Sequence, residues 1–149
     1  VNRALLDTDI YSEALKAIDP NVAQNAAAYR QAHGRLTISA ITVMEIVQGL
    51  RKVGASPRRI QAFRDAIALE EILPFDRDAA DLAGQIAGDL DRAGRPIGRC
   101  DPMIAALAIA HGLGLVTGNM SHYQRLPPLG YSLTLVNWRG AGPASVGSP

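Results

Sequence analysis

Ala4-Leu-Leu-Asp-Thr-Asp-Ile10 is the stretch on which the fold turns. An apolar run enters it and stops at Asp7-Thr-Asp9. A short apolar run bounded by polar residues reads as a strand buried on both faces. Its carboxyl end then carries Asp7 and Asp9. A carboxylate closing a buried strand needs a hydrogen-bond partner or a cation, so the same stretch is the first candidate for chemistry.

Helical patterns follow over 12–18 and 21–33, the second ended by Gly34. Arg35-Leu-Thr-Ile-Ser39 reads as a second strand. Helices are expected over 42–53, 57–69 and 76–93, with 71–75 a short strand before the last. In 76–93 the apolar residues, Ala79, Ala83, Ile86 and Leu90 among them, share one broad face. A helix over 101–111, ended by Gly112, is apolar all round from Met103 to Ala110 and must be buried between a sheet and other helices. Leu113-Gly-Leu-Val-Thr117 and Ser132-Leu-Thr-Leu-Val-Asn-Trp138 complete the strands. Strands separated by helices predict an α/β sandwich on a mainly parallel sheet. One domain over 1–138 is expected, followed by a Gly/Pro/Ala/Ser-rich tail, 139–149, that lacks apolar periodicity and reads as disordered.

Composition narrows the function. A chain of 149 residues with 48% hydrophobic and 19% charged content has the makings of one packed core. Its 15 basic and 14 acidic residues sum to +1, which excludes a histone-like binder acting through net charge. Thirteen of the basic residues are Arg, an excess that a GC-rich coding sequence explains, given 24 Ala. The single Cys100 excludes an internal disulfide and a multi-cysteine metal site. No stretch reads as a secretory or membrane-spanning segment, so a cytoplasmic protein with no membrane partner is expected.

Ligands of open parallel sheets sit beyond the carboxyl ends of the strands. The first strand brings Asp7 there, the strand ending at Thr117 brings Asn119, and two helix starts can bring Glu45 and Asp101. Three converging carboxylates repel one another unless a cation neutralises them. Oxygen-only ligands suit Mg²⁺ or Mn²⁺, and such an ion suits hydrolysis of a phosphodiester. Each acid has a plainer reading as well. Thr42-Val-Met-Glu45 fits a capping box, Asp101-Pro102 fits an N-cap followed by a first-turn proline, and Asp7 can cap the turn after its strand.

Order and context are more specific than any one of these residues. The blocks are Leu5-Leu-Asp-Thr-Asp-Ile-Tyr-Ser12, Ser39-Ala-Ile-Thr-Val-Met-Glu-Ile-Val-Gln-Gly49, Ile97-Gly-Arg-Cys-Asp-Pro-Met-Ile-Ala-Ala106 and Ala110-His-Gly-Leu-Gly-Leu-Val-Thr-Gly-Asn119. In this order and spacing the chain resembles the PIN-domain nucleases, particularly the VapC-type toxins of toxin–antitoxin pairs, over about residues 4–138. The resemblance implies an α/β/α sandwich and a metal-dependent endoribonuclease that cleaves RNA, a tRNA or another structured RNA, to inhibit translation or growth. It assigns catalytic roles to Asp7, Glu45, Asp101, Asn119 and Thr117. Asp7 and Asp101 are the expected ligands of Mg²⁺ or Mn²⁺, with Glu45, Asn119 and Asp9 as further candidates. Asn119 stands where many members carry Asp, and Asp9 where Asn is common. A homodimer and a VapB-type antitoxin partner are implied as well.

Two other readings remain open at this point. Asp7-Thr-Asp9 also fits the Asp-x-Asp motif of haloacid-dehalogenase-type phosphatases, and a PIN fold with an impaired site would bind without cutting. Arg95 and Arg99, just before Asp101, are the candidates for RNA contact. His33, His111 and His122 lack zinc-ligand spacing.

Overall fold

In the computed structural model, residues 1–140 are described, and the expected tail from 141 onward lies outside them. Among the described residues, five short strands are separated by seven α-helices, taken singly or in consecutive pairs. The strands are β1 (Ala4–Leu6), β2 (Thr37–Ser39), β3 (Glu71–Leu73), β4 (Gly114–Val116) and β5 (Leu135–Val136). The helices are α1 (Thr8–Lys16), α2 (Pro20–His33), α3 (Ala40–Lys52), α4 (Pro57–Ile67), α5 (Arg77–Arg92), α6 (Cys100–Ala110) and α7 (Met120–Tyr123). β1, β4 and β5 pair in the order β1-β4-β5, β2 pairs with β3, and every pairing is parallel. The expected α/β class and parallel sheet hold.

β2 lies beside β1, and the two ladders are joined there by a side chain. The Tyr29 hydroxyl accepts from the Ala4 N–H (3.2 Å), donates to the Ala4 carbonyl (3.0 Å) and lies 2.9 Å from Thr37 Oγ1. Tyr29 is itself fully buried, so a helix residue ties the edges of both ladders together.

Side-chain alternation along the strands builds two cores. Leu5 and Leu115 point to one layer, where they meet Ala79, Ala83, Ile86 and Leu90 of α5 and Ile104–Ala108 of α6. Ala4, Leu6 and Val116 point to the other, against Ile10 and Tyr11 of α1, Val22, Ala26 and Tyr29 of α2, and Trp138. The all-round apolar helix is buried as its pattern requires, and the α/β/α sandwich follows.

Three local readings change. β1 ends at Leu6, because Asp7 takes extended backbone and caps α1, so Thr8, Asp9 and Ile10 are helical rather than extended. The cap of α3 is Ser39, whose hydroxyl accepts from the Thr42 N–H. Thr42 therefore lies inside the helix, and Glu45 is no part of a capping box. Likewise Asp101 is not an N-cap. α6 begins at Cys100 after Arg99, which makes no side-chain cap bond, and Asp101 sits in the first turn. Both acids are thereby left free of the capping bonds that would have explained them.

Candidate active site

The parallel register sets the site. Leu6 pairs with Val116, so the next residues, Asp7 and Thr117, leave their strands side by side. The Asp7 N–H donates to the Val116 carbonyl (2.8 Å). The Thr117 hydroxyl donates to Asp7 Oδ2 (2.8 Å), and Oδ1 accepts from the Thr8 N–H (2.8 Å). Thr117 Oγ1 in turn accepts from the Asn119 N–H (2.9 Å), which fixes the chain just beyond β4.

The strand ends open onto a cleft of about 480 Å³ lined by Asp7, Thr8, Asp9, Glu45, Asp101, Gly118, Asn119 and Arg139. Four of the five expected catalytic residues line it, and the fifth, Thr117, lies fully buried behind Asp7. Arg95 and Arg99 are exposed and do not line it.

Glu45 reaches the cleft from α3, where Thr8 Oγ1 donates to its Oε1 (2.7 Å). Thr8 Oγ1 also lies 2.9 Å from Thr42 Oγ1, which accepts from the Ser39 hydroxyl at 3.3 Å. A hydroxyl has one proton to give, and that of Thr8 goes to Glu45. Thr42 therefore donates to Thr8, and the three hydroxyls align towards Glu45 as one relay. Thr8 was not singled out by the sequence reading. Its signal is its place between two candidate acids.

Across the cleft, Asn119 Nδ2 donates to Asp101 Oδ2 (3.3 Å) and lies 2.8 Å from His122 Nδ1, which is 3.0 Å from the same Asp101 oxygen. An aspartate at 119 would place a second negative charge at that distance, whereas the amide donates. His122 thus belongs to the surroundings of Asp101, on the short helix α7 that the sequence pattern does not reveal.

Asp7 is buried, and its carboxyl is pushed up to about 7, first by desolvation and then by the Asp9 charge, against the two hydrogen bonds from Thr117 and Thr8. The Tyr123 hydroxyl is buried near Asp7 and Asp101 with no hydrogen-bond partner among the described residues. Burial and those two acids push its phenol far up, so it stays neutral. The Cys100 thiol is also raised, by burial and then by Glu45 and Asp101, which disfavours a thiolate nucleophile.

Asp9 is differently placed. Oδ1 accepts from the Ile10 N–H (2.7 Å) and Oδ2 from the Gly118 N–H (3.0 Å), with Arg139 Nη2 at 3.4 Å. Both Asp9 oxygens are thus held by the protein's own donors, whereas the acid of an Asp-x-Asp phosphatase must face its substrate. Arg139, at the start of the expected tail, packs against the domain. It was missed because the residues after it carry no pattern.

The chain has known counterparts. The PIN domain family model matches residues 4–125. The chain belongs to the PIN-domain family, among its VapC ribonucleases. The tRNA(fMet)-specific endonuclease VapC of Shigella flexneri is 32% identical over 122 residues, covering 82% of this chain and 90% of that protein. Its counterpart in Salmonella typhimurium is 40% identical over 93 residues, 62% and 70% of the two chains. Among solved structures, DNA-bound VapBC from Salmonella typhimurium aligns with a TM-score of 0.77 at 30% identity, covering 93% of this chain and 99% of that chain.

Whether the acids of this PIN domain suit a metal is a question of geometry and charge. Among the described residues, no three His, Cys, Asp or Glu side chains form a group that could hold an ion by themselves. That excludes a closed zinc site. It fits a hard divalent ion such as Mg²⁺, which takes one or two carboxylates and keeps its remaining positions for water and phosphate oxygens. Burial first, and then the charges of Asp9 and Asp101, raise the Asp7 carboxyl, so its charged form is costly here without a cation.

Proposed function

We propose that this VapC ribonuclease is a Mg²⁺- or Mn²⁺-dependent endoribonuclease toxin, with Asp7 and Asp101 as the residues that hold the ion. The observation that carries this reading is the buried Asp7 at the junction of β1 and β4, facing a cleft shared with Glu45 and Asp101. When bound, the ion supplies Lewis-acid stabilisation of the charge developing on the phosphate.

The protein's own groups do the rest. Thr117 and the Thr8 N–H hold Asp7 in place, and the Asn119 amide holds Asp101. Glu45, aimed by the Thr8 hydroxyl, takes a proton from the water that attacks the phosphorus in line. The neutral Tyr123 hydroxyl stays behind the acids as a fixed dipole.

The substrate class is RNA, a tRNA by analogy with the Salmonella and Shigella relatives, whose names specify tRNA(fMet). The partner is a VapB-type antitoxin, since structures of VapBC complexes are the neighbours of this fold. No helix among the described residues is long and apolar enough to cross a membrane, and action in the cytoplasm is part of the proposal. The Asp7→Asn variant tests it. Metal-dependent RNA cleavage falls to background while circular dichroism stays unchanged. Full cleavage by a variant free of contaminating nuclease removes Asp7 from the site.

A further inference from the structure

Arg139 is the one cation among the described residues lining the cleft, and no step described above uses it. Its Nε and Nη2 are anchored on Glu13 Oε1 of α1, at 2.7 and 2.6 Å. From that anchor Nη2 reaches Asp9 Oδ2 at 3.4 Å. The guanidinium lies close against Gly118. A methyl group on Gly118 would come within 1.8 Å of Arg139 Nη1 and 2.8 Å of Asp9 Oδ2. Only glycine admits this approach.

We propose that Arg139 is an in-chain counter-cation that holds Asp9 out of the metal-ligand set and so limits the cleft to a single divalent ion. The proposal rests on the metal reading of the cleft. Three contacts support it. Both Asp9 oxygens are occupied, one by the Ile10 N–H and the other by the Gly118 N–H and Arg139. The side chain at 119 is an amide that donates to Asp101, so it adds no fourth negative ligand opposite. The other carboxylates lining the cleft are Asp7, Glu45 and Asp101, with the His122 ring 3.0 Å from Asp101, a charge that one divalent ion nearly balances. A second ion would need Asp9, and Arg139 already fills that electrostatic role. Arg139 touches no reacting atom. It is a positioning residue.

Mn²⁺ titration of the full-length protein by calorimetry and electron paramagnetic resonance reads the stoichiometry without any assay of activity. The wild type is expected to take up one Mn²⁺ per chain. Arg139→Gln frees Asp9 and takes up two, and Asp9→Asn/Arg139→Gln returns to one. Asp9→Asn alone answers independently, even where the arginine variant fails to fold. It keeps one ion with affinity within about threefold of wild type, whereas losing a group that holds the metal costs about 10–100-fold. A single ion in Arg139→Gln, two ions in the double variant, or a tenfold loss in Asp9→Asn overturns the proposal. A wild type that binds no Mn²⁺ overturns the metal reading itself.

Discussion

The proposed role of Asp7 comes at the expense of the fold. Its carboxyl is raised to about 7 from 3.8, so the metal-free folded state holds a proton that the unfolded chain releases earlier. The sign follows from linkage. The stabilisation is fully present below about pH 4 and is lost as pH rises through about 7, amounting to about 4 kcal/mol at most. Asp7→Asn is therefore expected to raise the melting temperature of the metal-free protein at pH 8 and to flatten its dependence between pH 4 and 7. Melting curves across that range check it, and an unchanged slope contradicts it. Thr8 carries the second prediction at this scale. Its hydroxyl is the group that aims Glu45, so Thr8→Val should lower kcat about 10–100-fold, as for other supporting residues of metal sites. KM should move little. A steady-state series on one RNA substrate separates the two parameters, and an unchanged kcat removes Thr8 from the relay.

Among the elements, the joint between β1 and β2 has the most unusual construction. The Tyr29 hydroxyl makes three polar contacts in a fully buried position. Tyr29→Phe leaves the Ala4 N–H without this acceptor, and a loss of about 1–3 kcal/mol is expected. Urea denaturation measures it, and a loss below about 0.5 kcal/mol would show that the joint relaxes around the missing oxygen. Legibility in the sequence also divides at this scale. α2, α5 and α6 were readable from periodicity and from Gly34 and Gly112, because long helices repeat their signal. The helix starts near Glu45 and Asp101 were misread, because Thr42-Val-Met-Glu45 and Asp101-Pro102 satisfy capping patterns that tertiary structure does not use. Helix α7 has four residues and too few apolar positions to show a period.

At the scale of the whole molecule, five short strands suffice because β1, β4 and β5 feed both cores, and residues beyond their carboxyl ends line one cleft. That convergence was legible in the order of Asp7, Glu45, Asp101 and Asn119, since a parallel sheet leaves few other places for polar strand ends. Arg139 was not legible, because its partners Asp9 and Glu13 lie 130 and 126 positions earlier in the chain, and only the folded sheet brings them together. Arg95 and Arg99 remain exposed outside the cleft lining. The account stands on the metal dependence of one reaction. The direct test incubates purified protein with total RNA in Mg²⁺, in EDTA, and in EDTA followed by excess Mg²⁺, with fragment ends mapped. Discrete cleavage that disappears in EDTA and returns with Mg²⁺ is the result predicted, and the same cleavage persisting undiminished in EDTA would contradict it.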